Sequence, residues 1–184
     1  MSRIQDLLVN YRNYIALPWR QSAADQRTIF CVYEPEDEMQ IRYHMGEFEI
    51  DTKQAGHEWI EFDMTNIFEE WLGVQKYAKG YFRTPENLTQ MPASFTKDIK
   101  DKFAAAITNA NENTVIAIYG IASVYGFVMI NDFIRDLSEM TKSRLVVFFP
   151  GSYSKSPQPN YKFLNAYDGW DYLATSITSD KNHF

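Results

Sequence analysis

Ile4, Leu7, Leu8, Tyr11 and Ile15 recur every three or four residues, so the chain begins with an amphipathic helix (residues 1–16) that stops before Pro18. Leu17, Pro18 and Trp19 form a loop. Thr28–Tyr33 is an unbroken β-prone run and reads as a buried strand. Glu34, Pro35, Glu36, Asp37 and Glu38 then lead into a helix running towards Gly56. Trp59–Phe62 is a second strand. Asp63 is placed to cap the next helix, whose apolar stripe is Ile67, Phe68, Trp71 and Leu72. Gly80–Pro92, with two prolines, predicts a surface loop or short helical turn and a candidate contact surface. A helix over Phe95–Ala110, a strand over Val115–Tyr119, a helix over Met129–Thr141 and a strand over Leu145–Phe149 follow. After Pro150 and Gly151 the stretch SYSKSPQPN reads as a polar loop. Tyr161–Leu164 and Leu173–Ile177 read as edge strands, and residues 179–184 as a frayed tail.

A strand with one wet face alternates polar and apolar residues, whereas these runs are continuously apolar and are separated by helices. That pattern predicts a mainly parallel sheet covered on both faces: an α/β, Rossmann-like three-layer fold formed by residues 1–184 as a single domain. At 184 residues, roughly two-thirds of the unfolded surface can be buried. No internal repeat or linker interrupts the pattern.

Charge narrows the possible partners. A net charge of −6 and a pI near 5.1 argue against tight independent nucleic-acid binding, which draws its affinity from clustered Lys and Arg. Lys97, Lys100 and Lys102 are interleaved with Asp98 and Asp101, as on a solvated helix face. The single cysteine, Cys31, lies in an apolar strand and has no partner for an internal disulfide, which suits a reducing cytoplasm. The N-terminus lacks the basic-then-apolar order of a signal peptide. No charge falls between Glu112 and Asp132, yet two glycines, Ser123 and two tyrosines within it favour a buried strand and helix over a membrane span.

Within that uncharged stretch, TVIAIYGIASVYGFVMI has the strand-turn-helix layout of a nucleotide-binding loop. Five residues separate Gly120 from Gly126, and Phe127 and Val128 follow where a P-loop places Lys and Ser or Thr. The turn is a degenerate P-loop. In a parallel sheet, ligands bind beyond the carboxyl ends of the strands, which gathers the loops at Glu34, Asp63, Gly120 and Pro150 on one edge. Glu34, Glu36, Asp37, Glu38 and Asp63 could hold a divalent cation there. The same acids also suit a helix N-terminus carrying Pro35. His44, His57 and His183 are scattered, no Gly-x-Ser-x-Gly elbow surrounds Ser123, and zinc-type thiolate and histidine pairs are missing. No catalytic residue, cofactor site or metal site is assigned. The candidate recognition surface is aromatic and acidic: Tyr153, Tyr167, Asp168, Trp170 and Tyr172, with a turn at Asp168-Gly169.

The words SRIQDLLVNYRNYIALPW, VYEPEDE, GEFEIDTKQAGHEW, ENTVIAIYGIASVYGF, LVVFFPGSY and YDGWDYLATSIT, in this order, resemble the BrxB family, the small subunit of BREX bacteriophage-exclusion systems. The resemblance runs from residue 1 to about residue 178. It implies a bacterial cytoplasmic antiviral-defence protein that acts as a non-catalytic adaptor. It further implies a phosphatase-superfamily protein, PglZ, as the preferred partner, with a DNA methyltransferase and a large ATPase as other components of the assembly. The alternative carried by the residues alone is a degenerate nucleotide- or metal-dependent enzyme using the Gly120–Gly126 edge.

Overall fold

The computed structural model describes residues 2–19, 25–88, 93–156, 159–166 and 174–180. Helix α1 (Arg3–Ile15) opens on a capping box, in which the Ser2 hydroxyl accepts from the Gln5 N–H and the Gln5 side chain accepts from the Ser2 N–H. The elements that follow are β1 (Thr28–Tyr33), α2 (Glu38–Tyr43), α3 (Met45–Gln54), β2 (Glu58–Asp63), α4 (Ile67–Gly73), α5 (Ala78–Arg83) and α6 (Ala93–Ala106). The order is completed by β3 (Thr114–Tyr119), α7 (Ile130–Glu139), β4 (Arg144–Ser154), β5 (Asn160–Phe163) and β6 (Thr175–Ile177).

The strands form a six-stranded sheet in the order β2-β3-β4-β1-β6, every neighbour in that path parallel. β5 pairs antiparallel with the far end of β4. The pleat sorts the apolar runs into two cores. Phe30 and Val32, Ile116 and Ile118, and Leu145, Val147 and Phe149 face α4, α6 and α7. Ile29, Cys31 and Tyr33, Val115 and Ala117, and Val146 and Phe148 face α1, α2 and α3. The chain leaves β1 for β2 over the second face and returns through β3 to β4 over the first. Right-handed crossovers impose this reversal when the direction of travel across the sheet changes. The architecture is therefore the expected α/β, Rossmann-like three-layer arrangement with a mainly parallel sheet.

Four local expectations need correction. The helix expected to run from Glu38 to Gly56 bends at His44 (φ −91°, ψ 5°) into α2 and α3, and Ile41, Met45 and Phe48 are buried on either side of the bend. Asp63 caps no helix. Its carboxylate accepts from the N–H and hydroxyl of Thr65, closing a turn before α4. The helix expected to run to Ala110 ends at Ala106. Finally, Ser152–Ser154 is strand rather than loop, because β4 continues past Pro150 to pair with β5. Gly151 (φ 154°) makes that crossing close: a Cβ there would stand 2.0 Å from the Lys162 carbonyl oxygen.

At the opposite edge of the sheet, the guanidinium of Arg144 lies 4.5 Å from the Trp19 ring, and Trp19 stacks on His57 with centroids 3.6 Å apart. Burial lowers the pKa of Arg144 from its ordinary value. Trp19 thus fastens the end of the first helical segment over the start of β4.

Candidate functional site

The parallel register carries the loops after β1, β2, β3 and the Pro150 crossing of β4 to the carboxyl edge of the sheet, with Tyr33 opposite Pro150 and Asp63 opposite Tyr119. There they divide into two groups, each bound to itself.

The first group joins the loops after β2 and β3. Gly120 adopts φ 73°, and a Cβ on it would lie 2.6 Å from the Thr65 nitrogen and 2.7 Å from the Thr65 hydroxyl. The Met64 N–H donates to the Tyr119 carbonyl at 2.9 Å, and the Ser123 hydroxyl donates to the Met64 carbonyl at 2.6 Å. A 3-10 turn over Ile121–Val124 follows, with Ile121 and Val124 buried. Four backbone donors in and just after it are spent internally: Ser123 N–H to Gly120, Tyr125 N–H to Ala122, and Phe127 and Val128 N–H to Val124. A phosphate cradle needs such groups pointing outward. The helix expected over Met129–Thr141 begins at Ile130 and ends at Glu139, and before it Phe127 stacks on Phe68 with centroids 4.4 Å apart.

The second group surrounds a pocket of about 120 Å³ lined by Arg3, Tyr33, Asp37, Ser152, Tyr153 and Asp180, among others. Ordinary small-molecule sites occupy about 300–1,000 Å³. The acids once considered as cation ligands are engaged here by protein groups. Arg3 donates to Glu36 at 2.6 Å and to Asp37 at 2.9 and 3.2 Å; Asp37 first and Glu36 second raise the pKa of the guanidinium. The Tyr33 hydroxyl donates to the Glu38 carboxylate, which also accepts from Arg42 at 2.8 Å. Burial, then that bond, raises the pKa of Tyr33. Glu34 accepts from Asn165 at 3.0 Å. Among the described residues no group of three or more His, Cys, Asp or Glu side chains is placed to hold a metal.

Tyr153 is half-buried on the β4–β5 hairpin and packs on Tyr161 with centroids 4.7 Å apart. Tyr161 is itself fixed by donating to the Ala174 carbonyl at 2.9 Å. Tyr167, Asp168, Trp170 and Tyr172 lie outside the described residues, as does His183. His44 meets Glu47 at 2.6 Å and His57 meets Asn113 at 2.7 Å, so neither stands beside a nucleophile. Cys31 is fully buried, and burial raises its pKa. Lys97 pairs with Asp101, Lys100 with Asp136, and Lys102 with Asp98 and Glu70. No helix among the described residues is long and apolar enough to cross a membrane.

The Gly80–Pro92 segment, expected as a surface loop or short helical turn, is the end of α5 followed by a 3-10 turn over Pro85–Leu88, with residues 89–92 outside the described residues; sequence reasoning missed that Val74, Tyr77 and Phe82 stand in solvent just before and within it. Val74, Tyr77, Ala78, Tyr81 and Phe82 follow helical spacing, yet only Ala78 and Tyr81 pack on the core, so the spacing alone does not tell which of them stay in solvent.

Fold and site together define an α/β module whose Gly120 turn is packed against the loop after β2 and whose acids after β1 are engaged by protein groups. The family model for the BREX protein BrxB matches residues 61–177, and the chain belongs to that family. It is a component of the BREX class of systems. Neither a curated protein nor a solved structure matches the chain.

Proposed function

We propose that this chain is a cytoplasmic, single-domain, non-catalytic adaptor of a BREX phage-exclusion assembly, docking on a PglZ-like protein and supporting DNA modification and phage exclusion by the whole. Contacts with the methyltransferase and the large ATPase belong to the same reading. The observation that carries it is the Gly120 turn. Thr65 fills the space over Gly120, the Ser123 hydroxyl is tied to the Met64 carbonyl, and four N–H groups in and after the 3-10 turn are spent on internal hydrogen bonds, which supports a structural turn over a phosphate cradle. Family membership supports a place in the assembly. Tyr153, Tyr167, Asp168, Trp170 and Tyr172 are the proposed contact residues, since Tyr and Trp combine large contact area with polar handles.

Co-expression with the PglZ-like protein followed by size-exclusion chromatography tests the reading. Co-elution is expected, weakened by Trp170→Ala or Tyr153→Ala. Separate elution at micromolar concentration, with no shift for the methyltransferase or the ATPase either, refutes it.

A further inference from the structure

Val74, Tyr77 and Phe82 are 81%, 77% and 73% exposed, and among the described residues no other ten-residue stretch leaves three large apolar side chains in solvent. Lys76, Lys79 and Arg83 alternate with them, and residues 74–83 contain no acid. Other helical lysines are neutralised locally: Lys53 by Glu49, Lys97 by Asp101, Lys100 by Asp136 and Lys102 by Asp98 and Glu70. Among the described residues no ion pair holds Lys76, Lys79 or Arg83. Lys155 and Lys162 also lack ion pairs, but no highly exposed large apolar residue accompanies them on their hairpin. Among the described residues, a chain of net charge −6 therefore leaves three neighbouring cations without ion pairs where its apolar side chains are bare.

The segment is anchored. Ala78 and Tyr81 pack against the core, with Tyr81 beside Trp71 at 6.4 Å between centroids. Tyr77, Gly80, Tyr81 and Asn87 line an open groove of about 500 Å³. Nothing stands within 4 Å of where a Gly80 Cβ would be, so the groove is open over that glycine.

We propose that residues 74–88 dock an acidic segment of a partner protein that carries an apolar anchor: Tyr77 and Phe82 cover the anchor, while Lys76, Lys79 and Arg83 meet its carboxylates. This rests on the adaptor reading and adds a second surface with a defined partner chemistry. Charge complementarity selects the occupant. A nucleic acid presents a phosphate about every 1.7 Å and feels the whole charge of −6, whereas a peptide with a few carboxylates feels chiefly the local cations. The bare aliphatic Val74 beside two aromatics also favours an apolar side chain over a base, since burial of such an anchor supplies affinity and the surrounding cations supply orientation.

The test uses the full chain and fluorescence anisotropy with three labelled probes: a dodecapeptide alternating Leu with Glu, the same length alternating Ser with Glu, and a single-stranded oligothymidylate of equal charge. The Leu-Glu peptide should bind best. Lys76→Glu with Lys79→Glu, and separately Tyr77→Ala with Phe82→Ala, should each weaken it at least about tenfold while circular dichroism stays unchanged. No saturable peptide binding, binding by either variant as tight as by the unsubstituted chain, or tighter binding of the oligonucleotide overturns the proposal. Any of these results leaves co-elution with the larger partner standing. Retained peptide binding without co-elution overturns the adaptor reading alone.

Discussion

Gly120 and Gly126 share a left-handed backbone, φ 73° and 81°, but differ in what surrounds them. A Cβ at Gly120 would lie 2.6 Å from the Thr65 nitrogen, 2.7 Å from its hydroxyl and 3.0 Å from its Cα, whereas a Cβ at Gly126 would meet nothing within 4 Å. Both alanine substitutions incur the conformational cost of the left-handed region, about 1 kcal/mol. Only Gly120→Ala adds overpacking against backbone, about 1–3 kcal/mol, because the peptide nitrogen of Thr65 cannot rotate away as a side chain could. The expected losses are about 1 kcal/mol for Gly126→Ala and about 2–4 kcal/mol for Gly120→Ala. With a urea slope of about 2 kcal/mol/M, the Gly120→Ala midpoint should fall by about 1–2 M and the Gly126→Ala midpoint by about 0.5 M. Thr65→Gly in the Gly120→Ala background removes the hydroxyl contact but not the 2.6 Å nitrogen contact, so it should restore little. Urea unfolding followed by circular dichroism measures all of these. Equal losses at the two glycines would refute the account of the turn as a plug seated against the loop after β2.

Isothermal calorimetry with ATP and magnesium should give no heat, since Phe127 and Val128 replace the P-loop Lys and Ser or Thr and Thr65 fills the space over Gly120; clear binding that Gly126→Arg abolishes would revive the degenerate-enzyme reading. Alkaline titration should destabilise the fold. The pKa of Cys31 is raised by burial, so its contribution is complete below the ordinary value of 9.0 and is lost above it, by about 1.4 kcal/mol per pH unit. Tyr11, Tyr33 and Tyr161, all raised chiefly by burial, steepen the loss above 10.0. Cys31→Ala should flatten the pH 9–10 portion of a stability curve, and an unchanged slope would contradict this. Tyr11→Phe removes the buried Tyr11–Thr52 hydrogen bond, but Thr52 retains its bond to the Phe48 carbonyl at 2.8 Å. A loss of about 1 kcal/mol in thermal or urea unfolding is expected, and a loss above about 3 kcal/mol would contradict that count of bonds.

The four long parallel strands were legible to within one or two residues at their starts: in β1, β3 and β4 burial on both faces leaves an unbroken apolar run such as TIFCVY or TVIAIY, while the edge strand β2, EWIEFD, keeps only Trp59, Ile60 and Phe62 around Glu61. Ser152–Ser154 escaped the same logic. That part of β4 pairs in a hairpin with one open face, so its sequence turns polar while its backbone remains extended. β5 retains the clue in alternation, with Tyr161 and Phe163 buried and Lys162 exposed. At the carboxyl edge, the lack of P-loop side chains was visible at Phe127 and Val128, but the approach of Thr65 to Gly120 spans 55 positions and has no local signature. Asp63 looked like a helix cap because a side-chain acceptor suits both roles, and Thr65 was the nearer donor. The family resemblance drawn from residue 1 onward is matched over residues 61–177, and its N-terminal words lie outside that span.

β4 has eleven residues and belongs to two pairings at once: its first part runs parallel between β3 and β1 in the middle of the sheet, and its last part carries β5. Mechanically it is a braced beam. The half bearing Tyr153 continues from a root held between β3 and β1, and β5 braces it by laying Tyr161 and Phe163 against Phe149 in the core, with Gly151 too close to Lys162 for the joint to take a larger residue. A load applied at the hairpin passes along covalent backbone into Val146, Val147 and Phe148 rather than being absorbed by a hinge. A partner that grips the hairpin meets a stiff handle, so little conformational freedom is lost there on binding and its movements carry straight to the centre of the molecule.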